Sequence, residues 1–151
     1  MHYQTVKDVV DHSRQLHQDI SGLYAKLSED QTQVRVGMLL EYLKRHEDNL
    51  EQSLDQFESD KSQKVLDSWL QYTPDQDVSD VLLGLTISDH MSTDQVVDMA
   101  LKLDDFFIEL YQEIIDHSAS SSVKVVFQNL LDMEQQEKIS MAKTALQLND
   151  M

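Results

Sequence analysis

The sequence predicts an all-α fold in which two helical hairpins close face to face into a four-helix bundle, with a long crossover between the second and third helices. Three observations predict it. Apolar residues recur at three- and four-residue spacing along four long stretches, the signature of one buried helical face. Three Gly and one Pro are all that interrupt 151 residues, and Pro74 falls between the halves. The second half also repeats the first without gaps at an offset of 87 residues (Val9 to Val96), which pairs Leu16 with Leu103, Leu23 with Leu110, Tyr24 with Tyr111, Leu43 with Leu130 and Glu47 with Glu134. Each hairpin has a stripe it cannot bury alone, so the pair reads as one domain, 1–151.

The first helix spans about 5–27. Thr5 followed by Asp8 is a start signal, and Val6, Val9, Leu16, His17, Ile20, Tyr24 and Leu27 mark its inner face. Ser28 with Gln31 resembles a second capping box and opens a helix over about 30–58, striped by Val36, Leu39, Leu40, Leu43, Glu47, Leu50, Leu54 and Phe57. The pattern weakens across 59–91, where Val65, Leu66, Trp69 and Leu70 suggest one short helix, Pro74 breaks it, and 78–87 suggests another. Ser92 with Gln95 starts the third helix, about 93–117, with Val96, Ala100, Leu103, Asp104, Phe107, Leu110, Tyr111 and Ile114 inward. The serine run 118–122 turns the chain into the fourth helix, about 122–147, faced by Val123, Val126, Phe127, Leu130, Glu134, Glu137 and Met141.

Charge and composition narrow the function classes. With 12 Lys and Arg against 28 Asp and Glu, the net charge of -16 repels nucleic acid and anionic membrane, so neither is an expected partner. The absence of Cys removes disulfides, thiolate metal sites, iron–sulfur clusters and cysteine nucleophiles. The opening MHYQTVKDVVDH has no basic-then-apolar signal pattern, and the longest mainly apolar run, 81–87, is far too short to span a bilayer. The expectation is a soluble, cytoplasmic protein. No Gly-rich phosphate loop, Gly-x-Ser-x-Gly elbow or His-Glu-x-x-His occurs, which leaves nucleotide hydrolysis, esterase chemistry and zinc proteolysis without support.

Five polar residues fall within the apolar stripes: His17, Glu47, Asp104, Glu134 and Glu137. Glu47 and Glu134 lie about 40° around the helix from Leu43 and Leu130, and His17 and Asp104 about 60° from Ile20 and Phe107, which turns them inward. A buried carboxylate must be paired, protonated, wet or bound to a metal. No Lys or Arg occupies the stripes beside these acids, so the stripes hold no strong cation to pair with them.

Two hairpins joined by a long crossover resemble the ferritin-like fold, which includes rubrerythrins and bacterioferritins. In that family the first and third helices each carry a glutamate seven residues before a tyrosine, and the second and fourth each carry Glu-x-x-His. Here the tyrosines correspond to Tyr24 and Tyr111, preceded at that spacing by His17 and Asp104. The Glu-x-x-His positions read Glu47-Asp48-Asn49-Leu50 and Glu134-Gln135-Gln136-Glu137, so both glutamates match and both histidines are replaced. The resemblance spans about 5–147. It implies a variant carboxylate-rich centre for one or two oxygen-preferring ions, Fe or Mn, held by His17, Glu47, Asp104, Glu134 and Glu137 with Tyr24, Tyr111 and His46 around it, and an oxidase- or peroxidase-like reaction with dioxygen or peroxide.

The alternative from the same residues is a metal-free ferritin-like scaffold serving as a protein interaction or structural module, supported by Leu50 where a ligand would stand. The missing Cys set excludes a rubredoxin-type electron-transfer site, and the little sequence after the fourth helix argues against a large iron-storage cage. Phe106, read as pointing away from the stripe beside Leu110 and Met99, suggests a homodimer face. His12 and His117 lie about 80° off their stripes and read as flanking residues. The methionines read as gap fillers, the acidic run 48–60 as a solvated face, and Gly22 as either a close helix approach or a tolerated residue.

Overall fold

The computed structural model describes residues 5–70, 87 and 90–149, with the side chain of Asn149 left aside. In chain order the helices are α1 (Val6–Glu29), α2 (Val34–Asp60), α3 (Gln63–Leu66), α4 (Thr93–His117) and α5 (Ser121–Asn149). Pro74 and the short helix expected over 78–87 lie outside the described residues, apart from the exposed Ile87. α1 packs back along α2 and α4 along α5, and α2 also meets α4 and α5, which closes the bundle of two hairpins. Among the described residues no helix is long and apolar enough to cross a membrane.

Local chemistry sets most helix starts. The Thr5 side chain accepts the Asp8 N–H while the Asp8 carboxylate accepts the Thr5 N–H, and Ser92 and Gln95 form the same reciprocal pair at the head of α4. The expected Ser28–Gln31 box does not form. α1 runs on through Glu29, so Ser28 sits in its last turn and its carbonyl accepts the Gln31 N–H, while α2 starts after Gln33 with no side-chain cap. The crossover leaves from a fixed point: Val6 N–H donates to the Ser68 carbonyl at 3.0 Å, and Thr5 and Trp69 form an isolated antiparallel bridge that leaves the Trp69 ring largely exposed.

The core runs the length of the bundle through Leu16, Ile20, Leu39, Leu43, Leu103, Phe107, Phe127 and Leu130. Phe106 and Met99 belong to it, each 2% exposed, and Phe106 meets Phe107 edge to face with centroids 5.4 Å apart. The patch read as a homodimer face is therefore interior, because α4 touches neighbours on two sides and buries a wider arc than one stripe. The acidic run 48–60 is only partly solvated. The Arg14 guanidinium on α1 donates to Glu51 and Glu58 on α2 at 3.0–3.1 Å and lies 3.2 Å from Asp55, so one cation holds three acids across the hairpin.

Candidate metal centre

α1, α2, α4 and α5 each send polar side chains to the middle of the core. His17, His46, Glu47, Asp104 and Glu134 are all at most 3% exposed. They sit there because they share a helical face with buried apolar residues: Ile20 and Tyr24, three and seven residues on, fix the phase of His17, and Leu43 and Leu50 that of His46 and Glu47. Glu137 stands at the rim with its side chain 40% exposed.

Two histidines organise the acids. His17 Nδ1 makes a short contact with Glu47 Oε2, and His17 Nε2 lies 2.9 Å from Glu134 Oε1. His46 Nε2 lies 3.1 Å from Asp104 Oδ1, and its Nδ1 is 3.6 Å from the rim oxygen of Glu137. The cations that the stripes lack in Lys or Arg are thus supplied by imidazoles. Burial opposes charge on His17, but the Glu134 and Glu47 carboxylates outweigh it and raise its pKa to about 10. The same contest raises His46, where burial is outweighed by Asp104 together with Glu47 and Glu137. Burial also lifts Glu134 above the usual carboxylate range against the pull of His17. Tyr24, fully buried and facing the charges of Glu47 and Asp104, is held well above an ordinary phenol.

Four of the cluster's side-chain atoms remain without a hydrogen-bond partner. Glu47 Oε1, Asp104 Oδ2, Glu134 Oε2 and His46 Nδ1 are buried in that state, although a desolvated carboxylate oxygen is costly to leave unmade. His46, Glu47 and Asp104 bring one donor atom each within 4.8 Å of one another, close enough to share one cation. This donor set of carboxylate oxygens and imidazole nitrogen suits an oxygen-preferring ion.

The sequence-predicted residues therefore fall into three groups. Glu47, Asp104 and Glu134 meet in the core with His17 between two of them, Glu137 borders the cluster, Tyr24 is buried facing Glu47 and Asp104, and Tyr111 is buried against the Phe127 ring at 6.0 Å. His46, expected from sequence only in the surroundings, stands inside the cluster. The signal for it is its spacing of three from Leu43 and four from Leu50. His12 is half-buried and His117 exposed, and a Cβ added at Gly22 meets nothing within 4 Å, so no close helix approach depends on that glycine.

No protein-family profile matches this chain, and no curated protein matches it. Two solved structures share its fold. A Thermotoga maritima protein assigned as a ferritin-like diiron-carboxylate protein superposes with a TM-score of 0.58 at 18% identity, over 96% of this chain and 97% of that one. A hypothetical protein from Pyrococcus furiosus superposes with a TM-score of 0.51 at 13% identity, over 97% and 91%.

Proposed function

We propose, from the ferritin-like fold as premise, that this chain binds Fe or Mn in the bundle core through His46, Glu47 and Asp104, with the second oxygen of Glu134 beside them. The observation that carries this reading is the set of buried donor atoms with no partner: Glu47 Oε1, Asp104 Oδ2, Glu134 Oε2 and His46 Nδ1. Buried polar atoms are nearly always satisfied, and a cation held by His46, Glu47 and Asp104 would relieve the shortfall at the three residues whose donor atoms lie within 4.8 Å of one another. His17, the nitrogen donor of the sequence reading, has both ring nitrogens turned to carboxylates, so the role passes to His46.

When bound, such an ion supplies Lewis-acid and one-electron chemistry toward dioxygen or peroxide. The chain's own part is to orient and exclude. Asp104 accepts the His46 Nε2–H and so turns the opposite ring nitrogen outward from that bond, an arrangement that fixes the tautomer a ligating imidazole needs. Leu43, Leu103 and Leu130, each at most 1% exposed, keep bulk water from the carboxylates. The reading includes cytoplasmic residence and no nucleic-acid or membrane partner, supported by the acidic charge.

The test is metal content of protein purified without chelator or affinity-tag metal, then reconstituted anaerobically with Fe(II), alongside Asp104→Asn. Retained metal that falls at least about tenfold in occupancy in the variant is expected. Failure to retain Fe or Mn would favour the competing reading, a metal-free interaction or structural module. Its support is Leu50, fully buried where a ligand would stand, and the imidazoles that already offset the acids.

A further inference from the structure

We infer that His17 takes the place of a cation between Glu47 and Glu134, so that the centre holds a single divalent ion and not a pair. This rests on the metal-binding reading above and fixes its stoichiometry.

Donor counting comes first. His17 Nδ1 faces Glu47 Oε2 and His17 Nε2 faces Glu134 Oε1, so the ring occupies one oxygen of each glutamate. What remains open is one oxygen on each of Glu47, Asp104 and Glu134, with His46 Nδ1. Those atoms suffice for one ion, and the oxygens needed for Glu47 and Glu134 to bridge a second are occupied.

The ring also cannot step aside. His17 is 0% exposed and stacks on Phe107 with centroids 3.9 Å apart and planes 14° from parallel, and Phe106 backs Phe107 edge to face. The matched position in the second half is Asp104, a carboxylate. An acid at position 17 would place a further carboxylate ligand where the imidazole now stands.

The experiment is equilibrium dialysis of chelator-stripped full-length protein against Fe(II), anaerobically, and against Mn(II), with the bound ion counted by elemental analysis and the Mn(II) form examined by electron paramagnetic resonance. About one equivalent, with the signal of isolated Mn(II), is expected for the unaltered protein, and His17→Glu should take up about one more and show exchange coupling. Two equivalents with a coupled signal in the unaltered protein would overturn the inference and leave the metal-binding reading standing. Uptake of neither ion would overturn both. A folded His17→Glu protein that stops at one equivalent would overturn the assignment of the limit to His17, and if that variant does not fold, the count in the unaltered protein decides.

Discussion

The imidazole of His17 lies flat against the ring of Phe107, 3.9 Å between centroids and 14° from parallel, while both of its nitrogens reach carboxylates in the ring plane. The face of the ring is held by dispersion and cation–π attraction, and its edge by charge. Orientation and protonation are thus set by different neighbours.

Replacing Phe107 by Leu should separate the two. The fully buried ring contributes area and a stacking partner, so the loss should be about 1–2 kcal/mol in chemical denaturation. In nitrogen-resolved NMR of the unaltered, metal-free protein at neutral pH, His17 should show two protonated ring nitrogens. A neutral tautomer there would show that the carboxylates do not hold His17 charged in the fold.

Stability of the metal-free protein should fall as pH rises above neutrality. His17 is raised from 6.5 to about 10 on folding, so its stabilising contribution is complete below about 6.5 and disappears as pH climbs toward 10. His46 is raised as well and acts in the same direction from 6.5 upward. Glu134, raised from 4.5, favours folding in its protonated form and so also weakens the fold with rising pH. Denaturation midpoints measured at pH 6 and pH 9 should therefore decrease, and a rise between them would show that the imidazoles are not charged in the fold.

Removal of one member of the His17 cluster should cost more than removal of the pair. His17→Ala leaves Glu47 and Glu134 buried without their shared cation, a loss of about 3–5 kcal/mol in metal-free protein. His17→Leu combined with Glu134→Leu should recover much of it, since apolar groups then replace both charges. The double-mutant cycle, read by urea denaturation, checks this, and additive losses would sink the proposed coupling.

Gly22 offers the opposite outcome. It lies inside α1 at an exposed position, with open space where a methyl group would stand, so Gly22→Ala should stabilise by about 0.5–1 kcal/mol through reduced unfolded-state entropy. A thermal melt checks it, and destabilisation would reveal a contact at that face.

The bundle is legible in the sequence because its signals are local. The stripes follow from spacing, and the Thr5–Asp8 and Ser92–Gln95 boxes need only four consecutive residues. Ser28–Gln31 has the same spelling and fails, because the length of α1 is decided by what Leu27 packs against and not by its last turn. Phe106 and Met99 escape the sequence reading for a related reason: a stripe gives the centre of a buried face and not its width. In the core, spacing identifies Glu47, Asp104 and Glu134, but which atoms meet across hairpins is not encoded in periodicity. The pairing of His17 with Glu134, 117 residues away, and the entry of His46 beside Asp104, 58 away, emerge only once the hairpins are docked.

Those two cross-hairpin contacts run in one direction. Both histidines belong to the first hairpin and both of their partners across the interface, Glu134 and Asp104, to the second. The matched positions 17 and 104 hold His in one half and Asp in the other. Two copies of the first hairpin would set imidazolium against imidazolium, and two of the second would set carboxylate against carboxylate. Halves with nearly interchangeable apolar stripes are thereby made into unlike partners, and the charge difference disfavours the pairing of like hairpins from two chains.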